Sequence, residues 1–174
     1  MNYFEFYDLP ISFNVDAAAL KKTFYSYSKK YHPDFFTLES EAEQAKILEL
    51  STLNTQAYKT LSDTERRMKY VLELTDAMGE EGQNKLPQDF LSDMMDINEA
   101  IMELEFDLDE TALEKVKNDV QIIDNQLFTA IKPVLDSYKH GETSASELET
   151  IKIFFFKKRY LFRISENLSK FAAR

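Results

Sequence analysis

The tripeptide His32-Pro33-Asp34 places an imidazole and a carboxylate on either side of a rigid turn residue. Such a pair could exchange protons with a substrate, or it could present a charge to a partner at an exposed turn. Because Pro33 hinders a hydrogen bond between the two side chains and no pocket motif accompanies them, the enzyme hypothesis is disfavoured. A purely structural interpretation also exists, since all three residue types suit the end of a helix.

The segment before the tripeptide has a lysine-rich helical face. Four lysines line or flank that face: Lys21, Lys22, Lys29 and Lys30. Apolar side chains recur on the opposite face: Leu20, Phe24 and Tyr27. Such a face is usually just solvated. Next to an exposed turn that carries Asp34, however, it can also dock on the acidic surface of a partner.

Composition excludes several classes of site. The 174 residues contain no cysteine and only two histidines, so disulfides, thiolate metal sites and thiol nucleophiles are excluded and no metal site or cofactor is expected. A formal net charge of -10 disfavours a general nucleic-acid binder. The first residues resemble no secretory or transit signal, and no apolar run could span a membrane. A cytoplasmic protein is therefore expected.

Apolar residues recur every three or four positions nearly throughout, which predicts an all-α fold. In the N-terminal part, a helical hairpin with short flanking helices is expected over 3–8, 16–31, 40–61 and 64–74. Asn2, Asp16 and Thr64 are the expected N-caps. Pro10 and Pro33 disfavour helical backbone at the preceding residue and so separate the elements.

Three long helices are expected in the C-terminal part, over about 87–105, 111–139 and 144–172, and their short connections predict an antiparallel three-helix bundle. Thr111 and Ser144 each begin a capping-box sequence. His140-Gly141 is a helix stop, and Pro133 should kink the middle helix or split it. The domains are thus expected at 1–75 and 89–174, with a linker over 76–88.

The first helix of this bundle carries a second candidate surface. Its core stripe is Phe90, Met94, Ile97, Ile101 and Leu104. A second apolar line, formed by Leu91, Met95 and Met102, runs among Asp96, Glu99 and Glu103 on a neighbouring face. No basic residue occurs between Gln88 and Leu108. The pattern fits either a wide buried arc with an acidic remainder or a protein-binding face.

The order of short aromatic helix, basic helix, His-Pro-Asp, long helix and short basic helix resembles that of the J-domain, which activates DnaK-type ATPase chaperones. Five segments look more narrowly like the HscB family of iron-sulphur co-chaperones: Asn2-Tyr3-Phe4-Glu5, Leu9-Pro10, Tyr31-His32-Pro33-Asp34, Leu53-Asn54-Thr55-Gln56-Ala57-Tyr58-Lys59-Thr60-Leu61 and Arg67-Met68-Lys69-Tyr70-Val71-Leu72. In that family a three-helix domain that binds the scaffold protein follows the J-domain. The resemblance covers the whole chain.

The resemblance implies that Asp34 meets a basic group on the nucleotide-binding domain of an HscA-like chaperone, with His32 and Pro33 shaping the loop and the four lysines docking beside it. No chemistry would occur on this chain itself. An IscU-like scaffold would be held by residues of the C-terminal domain: Leu91, Met95, Asp96, Glu99, Glu103 and Phe156. Two positions depart from many relatives, which have Lys in place of Phe35 and an apolar residue in place of Ser92.

Two further alternatives remain open. The chain could be a J-protein adaptor for a different client protein, or a helical adaptor with no chaperone activity. An ATPase assay with a DnaK-type chaperone, with and without a scaffold protein, separates these alternatives.

Overall fold

The computed structural model describes residues 1–79 and 85–171. They form seven α-helices and one short 3-10 helix: α1 (Tyr3–Phe6), α2 (Ala17–Lys30), the 3-10 helix (Pro33–Phe36), α3 (Glu41–Leu61), α4 (Thr64–Leu74), α5 (Gln88–Phe106), α6 (Glu110–Ser137) and α7 (Ala145–Ser169). No strand occurs in these two stretches, so the predicted all-α fold is confirmed. None of the helices that the structure describes is long and apolar enough to cross a membrane.

Several helix starts carry the caps that the sequence predicts. The Asn2 side chain accepts a hydrogen bond from the Glu5 N–H, and the Glu5 carboxylate accepts one from the Asn2 N–H, which completes a capping box. Asp16 caps α2 in the predicted way. At α7, Ser144 and Glu147 form the second expected capping box. The two hydrogen bonds from Ser144 lower the pKa of the exposed Glu147 carboxyl.

Two cap predictions are wrong, and in both cases an aspartate one or two positions earlier takes the role. Asp63, rather than Thr64, caps α4 and accepts from the Arg66 N–H at 2.8 Å. Asp109 accepts from the backbone N–H groups of Thr111 and Ala112, so α6 begins before the predicted capping box of Thr111. A carboxylate is as good an N-cap as a hydroxyl, so these aspartates can take the role of the threonines that follow them.

Helix ends differ from prediction by a few residues. Helix α1 ends at Phe6, two residues early, and Asp8 has a left-handed φ of 54°. Helix α6 runs through Pro133 without being split and ends at Ser137. Gly141 has a φ of 80° in the connection that follows, which fits a helix stop. The predicted linker partly lies outside the described residues, and so does position 172 at the predicted end of α7.

The chain divides into two compact units. The first comprises Met1–Thr75 with Tyr138–Thr143, and the second comprises Asp76–Ser137 with Ser144–Arg174. Apolar side chains of α1 to α4 form the interior of the first unit, with Phe4, Ala57, Leu61, Val71 and Leu72 all fully buried. Most of these positions follow the predicted helical spacing.

In the second unit the predicted core stripe of α5 is buried against α6 and α7. Met94 is 0% exposed, and its cluster includes Val116 and Val120 of α6 and Leu161 and Ile164 of α7. Asp124 near the middle of α6 forms an ion pair with Lys158 near the middle of α7, as two antiparallel neighbours allow. The packing therefore leaves one side of α5 free of the core.

Candidate functional site

The His-Pro-Asp loop, residues 32–40, connects α2 to α3 and is shaped by its own backbone. The Nδ1 atom of His32 accepts a hydrogen bond from the Asp34 N–H at 3.3 Å, and the His32 carbonyl accepts from the Phe35 N–H at 3.1 Å. Pro33 supplies a fixed φ at the first position of the 3-10 helix. The residue types of the tripeptide thus create the turn that presents Asp34.

The carboxylate of Asp34 points into solvent. Its side chain is 83% exposed, and its Oδ2 atom lies 3.8 Å from Nδ1 of His32. Because Nδ1 already accepts the Asp34 N–H, the two side chains do not form the direct hydrogen bond of an acid-base pair. In the described residues no lysine or arginine lies within ion-pair distance of Asp34. The carboxylate is therefore available to a cation on another molecule.

Asn54 fixes the hairpin of α2 and α3 from which the loop projects. This side chain is 1% exposed and donates to the Phe24 carbonyl at 3.2 Å and to the Ser28 hydroxyl at 3.0 Å, both on α2. The Tyr7 hydroxyl donates to the Asn54 carboxamide oxygen at 2.7 Å. Burial raises the pKa of that hydroxyl well above its usual range, so it remains a donor. The Asn54 side chain thus links α3 to α2 and to the end of α1.

Arg67, a residue of α4, also joins separate segments through hydrogen bonds of a buried side chain. Its guanidinium is buried and donates to the Phe13 carbonyl at 2.8 Å and to the Leu61 carbonyl at the end of α3. Burial lowers the pKa of this guanidinium from its ordinary value. Because its partners are neutral carbonyls on two different segments, Arg67 is a structural residue rather than part of an exposed basic surface.

The lysine face is exposed along its whole length, and all four predicted lysines lie on the surface of α2. Lys22 and Lys29 are separated by about 10 Å along the helix axis. Lys30 differs from the others, because its Nζ lies 5.0 Å from the centre of the Tyr31 ring in a cation–π contact. Among the described residues, Lys21, Lys22 and Lys29 form no ion pair, which leaves their charge uncompensated beside the His-Pro-Asp loop.

The α5 face combines an apolar strip with carboxylates. Met95 is 60% exposed and Met102 is 59% exposed, whereas Leu91 is half-buried. Asp96, Glu99 and Glu103 are all exposed beside them. Met94, the residue before Met95, is fully buried, so the change from core to surface occurs between two adjacent methionines. Of the two interpretations of this pattern, the structure therefore favours an exposed face over a wide buried arc.

Phe156 lies on α7 in a turn that contacts the beginning of α5. Its neighbour Lys157 places Nζ 5.2 Å from the centre of the Phe90 ring, and Tyr160 contacts the same ring edge to face. Phe154 and Phe155 are buried, while Phe156 is only half-buried. The three successive phenylalanines therefore divide between core and surface, as the helical rotation of about 100° per residue requires.

Three features of the two units were not predicted from the sequence. Phe106 at the end of α5 is 89% exposed and lengthens the apolar strip. Its spacing of four residues from Met102 is a signal that could have shown this. Asn54 and Arg67 were named only within segments that carry the family resemblance, and the hydrogen bonds of their buried side chains were not predicted. A polar residue at core spacing is the signal for a buried hydrogen-bond network.

Two family models match the chain, one in each half. The model described as the DnaJ domain matches residues 5–70, and the model described as the HscB C-terminal oligomerisation domain matches residues 86–169. The first half is thus a J-domain, and the chain is a J-protein with a second helical domain.

Curated relatives and solved structures agree with this class. A co-chaperone HscB homologue of Vibrio cholerae is 35% identical over 58% of this chain and 60% of the relative, and HscB of Buchnera aphidicola is 43% identical over 41% of each chain. The crystal structure of human HscB is similar with a TM-score of 0.76 and 27% identity, covering 97% of this chain and 81% of that one. The match thus spans about three fifths of the Vibrio cholerae relative's length.

The match of the second half of the chain shows which kind of J-protein this is. Because it matches the HscB C-terminal model, and because HscB from Vibrio cholerae is similar to 97% of this chain with a TM-score of 0.63, the chain is an HscB-like J-protein.

Proposed function

We propose that this chain is a co-chaperone that stimulates the ATPase of a DnaK-type, HscA-like chaperone and brings to it an IscU-like iron-sulphur scaffold protein. The exposed carboxylate of Asp34, held in a turn that its own tripeptide builds, is the observation that carries the proposal. It presents a charge at a fixed position, with no lysine or arginine of the described residues within ion-pair distance.

The lysine face supports the same partner. Three uncompensated lysines on the helix that precedes Asp34 attract an acidic surface and accelerate encounter with it. Asp34 then meets a basic group on the chaperone. To stimulate hydrolysis, these contacts must be stronger in the hydrolysis-competent state of the chaperone than in its resting state, because only differential affinity shifts an equilibrium.

The α5 face supports a second partner of different chemistry. An apolar strip of exposed methionines among carboxylates suits a protein surface that has apolar residues bordered by lysines or arginines. Met95, with Leu91 and Phe156 at the edge of the core, would supply the apolar anchors, and Asp96, Glu99 and Glu103 would orient the scaffold. One chain would then hold a client with one unit while the other unit acts on the chaperone.

The test is a steady-state ATPase assay with a purified HscA-like chaperone, with and without the scaffold protein. We expect stimulation by this chain and further stimulation when the scaffold is present. Asp34→Asn should abolish stimulation and leave scaffold affinity and helix content unchanged, because the side chain is exposed and its charge is the functional element. Glu39→Gln, which neutralises another exposed carboxylate in the same loop, is the matched control.

Stimulation by Asp34→Asn equal to that of the wild type would show the proposal to be wrong. If the wild type stimulates the chaperone but does not bind the scaffold, the second candidate applies, namely a J-protein adaptor for a different client.

A further inference from the structure

Two large apolar side chains stand in solvent on the same loop as Asp34. Phe35 is 68% exposed and Leu38 is 100% exposed, the highest exposed fraction among the large apolar residues of the described chain. In the described residues Leu38 is fully exposed, and the Phe35 ring contacts only the His32 ring among the aromatic side chains. An isolated exposed apolar side chain needs no explanation, but two within four positions of a functional carboxylate form a small patch.

The backbone that carries these side chains is held in place. The side-chain amide of Gln44 donates to the Thr37 carbonyl at 3.3 Å and to the Glu39 carbonyl at 2.8 Å, so one residue of α3 ties the chain on both sides of Leu38. The Phe35 ring lies 5.5 Å from the His32 ring, centre to centre. Both apolar side chains thus project from a loop that is already shaped, which lowers the entropy lost when a partner binds.

We propose that Phe35 and Leu38 form an apolar contact with the chaperone beside the Asp34 ion pair, so that the chaperone's docking site for this loop is a cation next to an apolar surface. The inference rests on the proposed function and deepens it. The occupant is the same ATPase domain that Asp34 meets, because both residues lie on the same short loop as Asp34. Closing an apolar surface around the ion pair excludes water, which strengthens the charge interaction.

This arrangement gives the two parts of the chaperone-binding surface different responses to salt. The lysine face acts through exposed charges, whose attraction is screened within a Debye length of about 8 Å at physiological ionic strength. Apolar contacts of Phe35 and Leu38 are not screened. The contribution of the loop should therefore persist at a salt concentration where that of the lysine face is largely lost.

The experiment uses the full chain and measures the concentration that gives half-maximal stimulation of the chaperone ATPase, at low and high salt. Phe35→Ala combined with Leu38→Ala should raise that concentration about tenfold, as expected for the loss of interface anchors. The increase should be at least as large at high salt as at low salt. Leu48→Ala is the matched control, because Leu48 is an exposed leucine of α3, at 59%, outside the loop.

A conservative variant separates apolar contact from loop shape. Phe35→Leu combined with Leu38→Met keeps the apolar character of both positions, so it should restore most of the lost affinity. The inference is overturned if the double alanine variant behaves like Leu48→Ala, or if its loss disappears at high salt. These results leave the proposed function intact as long as Asp34→Asn still abolishes stimulation, whereas a wild type that never stimulates the chaperone overturns both.

Discussion

The His-Pro-Asp loop and the α5 face are both exposed and are both proposed as binding surfaces, but different forces hold them in place. The loop depends on two hydrogen bonds from Gln44 and on those within its own turn, and Asn54 holds together the helices from which it projects. The α5 face depends on the apolar packing of its other side, where Met94 and its neighbours are buried. A short loop has no buried side of its own, so polar contacts must fix it, whereas a helix presents an outer face because its inner face is packed.

The two regions also differ in charge. Residues 1–75 carry nine basic and eleven acidic side chains, and residues 76–174 carry twelve basic and twenty acidic ones. The first unit gathers uncompensated lysines on α2, whereas α5 carries no basic residue at all. Surfaces of opposite sign on one chain would favour two different partners over two copies of one partner.

The largest expected effect is on the stability of the second unit. Met94→Ala should lower the free energy of unfolding by about 3 to 4 kcal/mol, because it leaves a cavity in a packed core. Denaturant unfolding followed by circular dichroism measures this change. Met95→Ala, one residue further and exposed, is the control and should leave stability nearly unchanged. Equal effects of the two variants would contradict the assignment of core and surface on α5.

A second prediction concerns the polar network of the first unit. Asn54→Leu should cost about 2 to 3 kcal/mol of stability, since it removes the buried hydrogen bonds of the carboxamide with the Tyr7 hydroxyl, the Phe24 carbonyl and the Ser28 hydroxyl. Chaperone stimulation should fall as well, while scaffold affinity stays the same. Gln56→Leu, at an exposed position of the same helix, is the control. Normal stability of Asn54→Leu would show that packing alone holds the hairpin.

The third prediction concerns the apolar anchors of the α5 face. Met95→Ala, alone and with Leu91→Ala, should weaken scaffold binding by about 2 kcal/mol, because apolar anchors at an interface centre contribute most of its free energy. Isothermal titration calorimetry with the scaffold measures the change, and Phe128→Ala on α6 is an exposed apolar control. A large fall in thermal midpoint for Met95→Ala would show that this residue belongs to the core.

The smallest effect is expected at the lysine face. Lys22→Glu combined with Lys29→Glu should raise the half-maximal concentration for stimulation about threefold to tenfold at low salt, and less at high salt, because screening weakens the attraction. Lys46→Glu combined with Lys59→Glu changes the net charge equally on α3 and serves as the control. A loss that is independent of salt would indicate damage to the fold instead.

Much of this architecture could be predicted from sequence, because helical periodicity depends on local spacing. The core stripe of α5 and the caps at Asn2, Asp16 and Ser144 were predicted for that reason. Competition between neighbouring caps could not be resolved, so Asp63 and Asp109 were missed. The tripeptide and the lysines were selected by residue type and spacing, and their binding roles stay predictions.

Exposure was harder to predict than position. The sequence left open whether Met95 and Met102 are buried, because a bundle helix with a wide buried arc has the same pattern. The exposure of Leu38 was not predicted, because a single leucine in a loop carries no periodic signal. The hydrogen bonds of Asn54 and Arg67 join segments far apart in the chain, and no local pattern shows which backbone carbonyls they will meet.

The proline within α6 has a consequence for the motion of that helix. Pro133 has no N–H to donate, so the helix lacks one backbone hydrogen bond in the turn before it. Local opening should start at this turn more readily than in the turns around Val116 and Val120, which lie in the main core cluster. Hydrogen-deuterium exchange should therefore be faster for the backbone amides beside Pro133 than for those near Val120. That result would show that two parts of one continuous helix open locally at different rates.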